Sequence, residues 1–174
     1  MRLFIAIDLN FSMKEELIYL AKQIKINSDR CSLTNEDNLH LTMAFIGEYD
    51  DPKKVISALG NISFNEFDIA LSHIGYFDRR GEMLVYAALE KNKELSSLRN
   101  KIASALKNES INFDNKKFLP HITLARRVTG TDKEDIDRIK PEKIKMTVNE
   151  FHLYSSDLSG KRPVYTILSS FKAI

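Results

Sequence analysis

The chain has 174 residues, 43% of them hydrophobic and 29% charged, with 26 basic against 24 acidic side chains and a formal net charge of +2. That length fits one domain or two small packed lobes with a real apolar core, and a charge so near balance excludes a protein that coats long nucleic acid by its global field; a phosphate ligand would need a local site. A single cysteine, Cys31, excludes an internal disulfide and a Cys-based metal cage and suits a reducing compartment.

In chain order, residues 2–9 read as a buried strand. The opening Met1 to Leu9 run is too short for a signal peptide and is interrupted by Asp8. No stretch approaches the roughly 20 apolar residues of a membrane span, so the chain reads as cytoplasmic with no membrane partner. Ser12-Met13-Lys14-Glu15 matches a capping box and predicts a helix, with Met13, Leu17, Leu20, Ala21 and Ile24 on its apolar face. Cys31 to Asn38 reads as a polar connection, and His40 to Ile46 as a strand stopped by Gly47. Asp51-Pro52 opens a second helix as N-cap and first helical residue, with Val55, Ile56 and Leu59 facing inward.

Phe67 to Tyr76 and Met83 to Leu89 are strand patterns joined by Asp78-Arg79-Arg80-Gly81, which predicts a hairpin. Leu95, Leu98, Ile102, Ala105 and Leu106 mark a third helix, and His121 to Arg127 a further strand. Thr131-Asp132-Lys133-Glu134 is a second capping box ahead of a short helix with Ile136 and Ile139. Two last strand patterns, 144–157 and 164–172, flank Ser159-Gly160-Lys161-Arg162-Pro163. Interleaved helices and strands with hairpin turns predict an α+β fold with largely antiparallel sheets, and no Gly-, Pro- or Ser-rich linker divides the chain.

One constellation carries chemistry. His40-Leu41-Thr42-Met43-Ala44 and His121-Ile122-Thr123-Leu124-Ala125 share the pattern His, apolar, Thr, apolar, Ala on two predicted strands 81 positions apart, which suggests a weak internal duplication. Period-two alternation puts His40, Thr42 and Ala44 on one face and Leu41, Met43 and Phe45 on the other; the second motif repeats this, with Ala44 and Ala125 leaving room in a groove floor. Two imidazoles and two hydroxyls converging on one groove suit a phosphodiester. A neutral histidine accepts a proton from the attacking group and a protonated one donates to the leaving oxygen, while the threonines donate to oxygens where charge builds. Neither motif has a carboxylate or second histidine at ligand spacing, so no metal is expected. His73 reads as a core or edge residue, His152 as a surface residue, and Cys31 has no assigned role. Arg79, Arg80, Lys116 and Lys117 read as solvated charges, with a place along an RNA path as the alternative.

At these residues the sequence resembles the two-histidine phosphoesterase superfamily, nearest its bacterial and archaeal RNA 2',3'-cyclic phosphodiesterases, the LigT-like proteins once described as 2'-5' RNA ligases. The resemblance covers nearly the whole chain. It is carried by Met1 to Leu9, Asn38-Leu39-His40-Leu41-Thr42 leading to Phe45-Ile46-Gly47, Pro120-His121-Ile122-Thr123-Leu124-Ala125-Arg126, and Tyr154-Ser155-Ser156 through Pro163 to Leu168. It implies one bilobal domain over residues 1–174, with two mainly antiparallel sheets around a central cleft, helices outside and a pseudo-twofold duplication.

It also implies hydrolysis of a terminal 2',3'-cyclic phosphate on RNA or a nucleotide to a 2'-phosphomonoester, with no metal or cofactor, and 2'-5' ligation as the reverse. By analogy His121 is the base, His40 the acid, and Thr42, Thr123 and Arg126 hold the phosphate. Simple alternation turns Arg126 away from the groove, and favours the core for Phe45, a residue that could otherwise stack a base. Rival readings are a 2'-5' oligonucleotide, an ADP-ribose cyclic phosphate or a tRNA intermediate as substrate, and a non-catalytic nucleotide- or RNA-binding module. A monomer is the default.

Overall fold

A computed structural model describes residues 1–174. Strand β1 (Arg2–Asp8) leads to helix α1 (Phe11–Ile26), strand β2 (Arg30–Leu33), a 3-10 turn at Glu36–Asn38, and strand β3 (His40–Glu48). Helix α2 (Pro52–Leu59), the hairpin of β4 (Phe67–Arg79) and β5 (Glu82–Leu89), and helix α3 (Lys93–Asn108) follow. Strand β6 (His121–Thr129), helix α4 (Lys133–Arg138), and strands β7 (Lys145–Val148), β8 (Glu150–Asp157) and β9 (Val164–Lys172) complete the chain. Two sheets result, in the orders β3-β1-β8-β9 and β2-β6-β5-β4-β7. Every strand pairing is antiparallel, as the hairpin-rich pattern predicts.

The helices bury the faces read from their spacing: Met13, Leu17, Leu20, Ala21 and Ile24 on α1, and Leu95, Leu98, Ile102 and Leu106 on α3, while Ala105 gives way to Ala103. Val55 and Leu59 of α2 are buried, and Ile56 packs at the core margin. One continuous apolar cluster of 38 buried residues runs through both sheets and their helices. Each sheet adds only a three-residue buried cluster of its own, Phe4, Ala6 and Tyr154 in one and Leu84, Tyr86 and Ala88 in the other, so the shared core fixes the orientation of the strands that carry the two motifs.

Several local expectations change. Asn10, with extended backbone, caps α1 by accepting from the Met13 amide, so Ser12 lies inside the helix; Asp132, not Thr131, caps α4 by accepting from the Asp135 amide. A short Asx carbonyl or carboxyl reaches the third amide as well as a hydroxyl does, and here it reaches first. The polar connection at Cys31 to Asn38 contains β2, an edge strand whose polar composition hides it from a hydrophobicity reading; Cys31 is half-buried in it. The span 144–157 is two strands in different sheets. The chain crosses over at Asn149, where the buried positions slip from Met146 and Val148 to Phe151 and Leu153. The hairpin turn is tight, with φ of 56° at Arg80 and 87° at Gly81, the signature of the turn whose twist matches its strands.

Asn10→Ala costs about 1 kcal/mol of folding stability and Ser12→Ala stays within about 0.5 kcal/mol. Urea unfolding of the two variants measures this directly.

Candidate active site

The site is built by a repeated irregularity. In the β1–β3 ladder Ile5 faces Ala44 and Ala6 faces Thr42, which leaves Met43 as an extra residue. In the β5–β6 ladder Val85 faces Ala125 and Tyr86 faces Thr123, which leaves Leu124 extra. Each is a β-bulge at the fourth residue of its motif, and a bulge sends two successive side chains to the same face. Met43 and Ala44, and likewise Leu124 and Ala125, all enter the core. Ala44 and Ala125 therefore do not floor a groove. The alternation resumes one residue late, so Phe45 and Arg126 come round to the face that carries the histidines and threonines.

That face lines a cleft of about 840 Å³ containing His40, Thr42, Phe45, His121, Thr123 and Arg126. The cleft thus brings together all five residues singled out from the two motifs, and Phe45 joins them against the alternation rule. No three His, Cys, Asp or Glu side chains in the chain form a cluster suited to a metal ion.

Both imidazoles are held in the same way. Nδ1 of His40 lies 2.7 Å from the Asn38 carbonyl, and Nδ1 of His121 lies 2.6 Å from the Leu119 carbonyl. A carbonyl only accepts, so each ring carries its proton on Nδ1 and presents Nε2 to the cleft. Nε2 of His40 is 2.9 Å from the Thr42 hydroxyl, which donates to it in that tautomer. Each ring also rests on two aromatic side chains of its own sheet, one from the adjacent strand and one from farther across. Phe4 and Tyr165 lie 5.1 and 5.4 Å from the His40 ring centre, and Tyr86 and Phe77 lie 5.2 and 5.6 Å from that of His121. The Tyr86 ring lies flat over its cross-strand partner Gly75, where any Cβ would collide with it. Sequence reasoning missed all four rings; Phe4 sat in a strand apolar on both faces, where nothing distinguishes the cleft side.

The electrostatics of the two histidines differ. Burial lowers the His40 pKa below its ordinary 6.5, opposed by the Asn38 hydrogen bond and by Asp8, and reinforced by Arg126 and His121. Asp8 faces His40 directly across the β1–β3 ladder, whereas the residue opposite His121 is Ala88. Asp8 also accepts a hydrogen bond from the Tyr154 hydroxyl, whose pKa is raised by burial and by that carboxylate. Next to them is His152, which is buried and not a surface residue. Its Nδ1 meets Ser170 Oγ at 2.8 Å and its Nε2 lies 3.8 Å from Asp8 and 3.9 Å from Glu150. It does point away from the helix-covered core, but β1 and β9 flank it in the sheet and bring Asp8 and Ser170 against its ring.

His73 is exposed at a bulge between Leu71 and Ile74, where Ile74 takes the inward position. It belongs to a separate groove between α2, α3 and the end of β5 that contains neither motif histidine. Desolvation lowers the Arg126 pKa and the charge of Arg79 lowers it further, although the Arg79 side chain is itself exposed.

A family model described as the 2'-5' RNA ligase superfamily matches residues 14–160. An RNA 2',3'-cyclic phosphodiesterase of Thermotoga maritima is 32% identical over 97% of this chain and 93% of its own length. One from Archaeoglobus fulgidus is 29% identical over 99% of this chain and 100% of its own. A crystal structure of Escherichia coli LigT complexed with 3'-AMP superposes with a TM-score of 0.83 at 29% identity, over 99% of this chain and 97% of that one.

Two outcomes follow from this geometry. The His40 ring titrates below 6.5 in the free protein and moves upward when inorganic phosphate fills the cleft, because a bound anion favours imidazolium; ring-proton NMR at several phosphate concentrations reads the shift, and a free-protein value at or above 6.5 contradicts it. Gly75→Ala forces the Tyr86 ring off its seat and costs about 1–3 kcal/mol, with the His121 ring resonances shifting together with those of Tyr86.

Proposed function

The chain belongs to the 2'-5' RNA ligase superfamily, and on that premise we propose that it is an RNA 2',3'-cyclic phosphodiesterase that opens a terminal cyclic phosphate to a 2'-phosphomonoester without a metal ion. The observation that carries this reading is the pair of Nε2-presenting imidazoles, each beside a threonine, in one cleft. Relatives that match over nearly their full length are named for this activity.

In the proposed reaction a water oxygen attacks phosphorus and His121 Nε2 takes its proton. The bond from phosphorus to the 3' oxygen breaks, and His40, as imidazolium, protonates that oxygen. Asp8 supports the order of roles, since a carboxylate across the ladder favours the charged form of His40 and His121 has no such partner in that register. Burial opposes it before substrate binds, and the phosphodiester anion supplies the negative charge that favours imidazolium. Thr42, Thr123 and the Arg126 guanidinium donate to the non-bridging oxygens as charge builds there. Phe45, with the Arg2 guanidinium 4.9 Å from its ring centre, offers a stacking face for the terminal base. The same residues run backward as 2'-5' ligation. The whole chain acts as one bilobal unit, since the two histidines come from different sheets, and we place it in the cytoplasm as a monomer; no helix is long and apolar enough to cross a membrane.

His40→Ala and His121→Ala each lower kcat on a nucleoside 2',3'-cyclic phosphate by at least about 100-fold while the folded NMR or circular-dichroism signature stays. Thr42→Ala removes one hydrogen bond and no proton carrier, and retains measurable turnover at about a hundredth of the parent rate. Full activity in either histidine variant rules the mechanism out. The rate against pH is bell-shaped, one limb for the histidine that must be neutral and one for the histidine that must be charged; a flat profile from acid to alkali is incompatible with paired imidazoles.

A further inference from the structure

Two arginines follow the second motif, and the reaction uses only the first. Strand β6 slips register again beyond Ala125: Val85 faces Ala125 and Met83 faces Val128, so Arg126 and Arg127 together oppose the single residue Leu84. Arg127 takes up the slack with φ of 53°. That is left-handed backbone, which a glycine adopts freely and a long L side chain adopts only under strain. Its side chain donates one hydrogen bond to an uncharged acceptor, Nη2 to the Ser32 hydroxyl at 3.0 Å, and it enters no ion pair.

Arg127 lines the same cleft as the two histidines, with Lys22 of α1 and with Lys161 and Arg162 of the β8–β9 loop. None of these three is in an ion pair either. The loop is tied to the site, because Asn38 Nδ2 donates to the Pro163 carbonyl at 2.8 Å and the Asn38 carbonyl holds His40. Glu36 and Asp37 are the acidic residues on the rim, set against Arg2, Lys22, Arg126, Arg127, Lys161 and Arg162. Six cations against two carboxylates along one cleft, in a chain whose net charge is only +2, make that cleft a local site for anions.

We propose that Arg127, with Lys22, Lys161 and Arg162 lining the same cleft, grips a backbone phosphate of single-stranded RNA next to the cyclic phosphate, and so makes the enzyme prefer a polynucleotide end to a mononucleotide. This rests on the phosphodiesterase reading above. It gives the strained residue a reason: an arginine is kept where glycine would be easier because the guanidinium has an external partner.

The test compares the parent protein with Arg127→Gln and Arg127→Gly. Values of kcat/KM are measured on a mononucleoside 2',3'-cyclic phosphate and on a short single-stranded RNA with the same terminus. Binding of a single-stranded RNA ending in a 2'-phosphate is followed by anisotropy across salt concentrations. The oligonucleotide-to-mononucleotide ratio of kcat/KM falls about tenfold in both variants, the size of one charge-assisted hydrogen bond. The slope of log affinity against log salt shrinks by about 0.7, as for one single-strand phosphate contact. Arg127→Gly melts no lower than the parent and up to about 2–4 °C higher as strain is released. An unchanged ratio and slope overturn the proposal. So does an equal loss on both substrates, which would put Arg127 at the cyclic phosphate itself, or a melting point several degrees lower in Arg127→Gly, which would make the arginine a support of the fold. If the folded parent turns over neither substrate, the phosphodiesterase reading has failed, and the salt slope alone still decides whether Arg127 meets an RNA phosphate.

Discussion

The extra residue in each motif strand, Met43 in β3 and Leu124 in β6, is the constraint on which the cleft depends. A regular strand carries every second side chain to one face. With that rule alone, each motif would give the cleft a histidine, a threonine and an alanine. The bulge instead sinks two side chains in a row into the core and returns the next one to the cleft, so the third contribution is Phe45 on one side and Arg126 on the other. Because the bulged residues are fully committed to a core shared by both sheets, the register cannot slide without burying a polar residue or exposing an apolar one. The position of each histidine is therefore fixed by packing on the far side of its strand.

Similar backbones carry different electrostatic surroundings. Each imidazole is tied at Nδ1 to the carbonyl two residues before it and rests against a pair of aromatic rings. Across the ladder, however, His40 meets a carboxylate and His121 meets a methyl group. Asp8 is in turn held by Tyr154 and lies near buried His152, a polar patch in the sheet of β3. A duplicated frame thus presents two chemically unequal histidines, which is what a reaction that withdraws one proton and delivers another requires.

Much of this arrangement is legible in the sequence because strong periodicity meets strong chemistry there. The helix faces of α1 and α3 follow from spacing alone, and the repeated His-x-Thr on two strands singles out the cleft residues. What stays hidden has local physical causes. A bulge leaves no mark in the run Thr42-Met43-Ala44-Phe45, since all of its apolar members can be buried. The polar edge strand β2 lacks the hydrophobic alternation by which strands are found. His152 alternates away from the core as expected, but burial on that face depends on strands that pair with it from far along the chain. The span 144–157 reads as a single strand because both of its halves alternate; the crossing between the sheets lies at Asn149, where the buried parity changes between Val148 and Phe151.

The central claim is that two imidazoles, with no metal ion, open a cyclic phosphate in a defined direction. Its most direct test is the turnover of a nucleoside 2',3'-cyclic phosphate by protein stripped of metal and assayed in excess EDTA, with the product read by phosphorus NMR. The account predicts undiminished turnover and a single product, the 2'-phosphate. Activity that vanishes in EDTA and returns with a divalent cation, or a product carrying its phosphate at the 3' position, would contradict it.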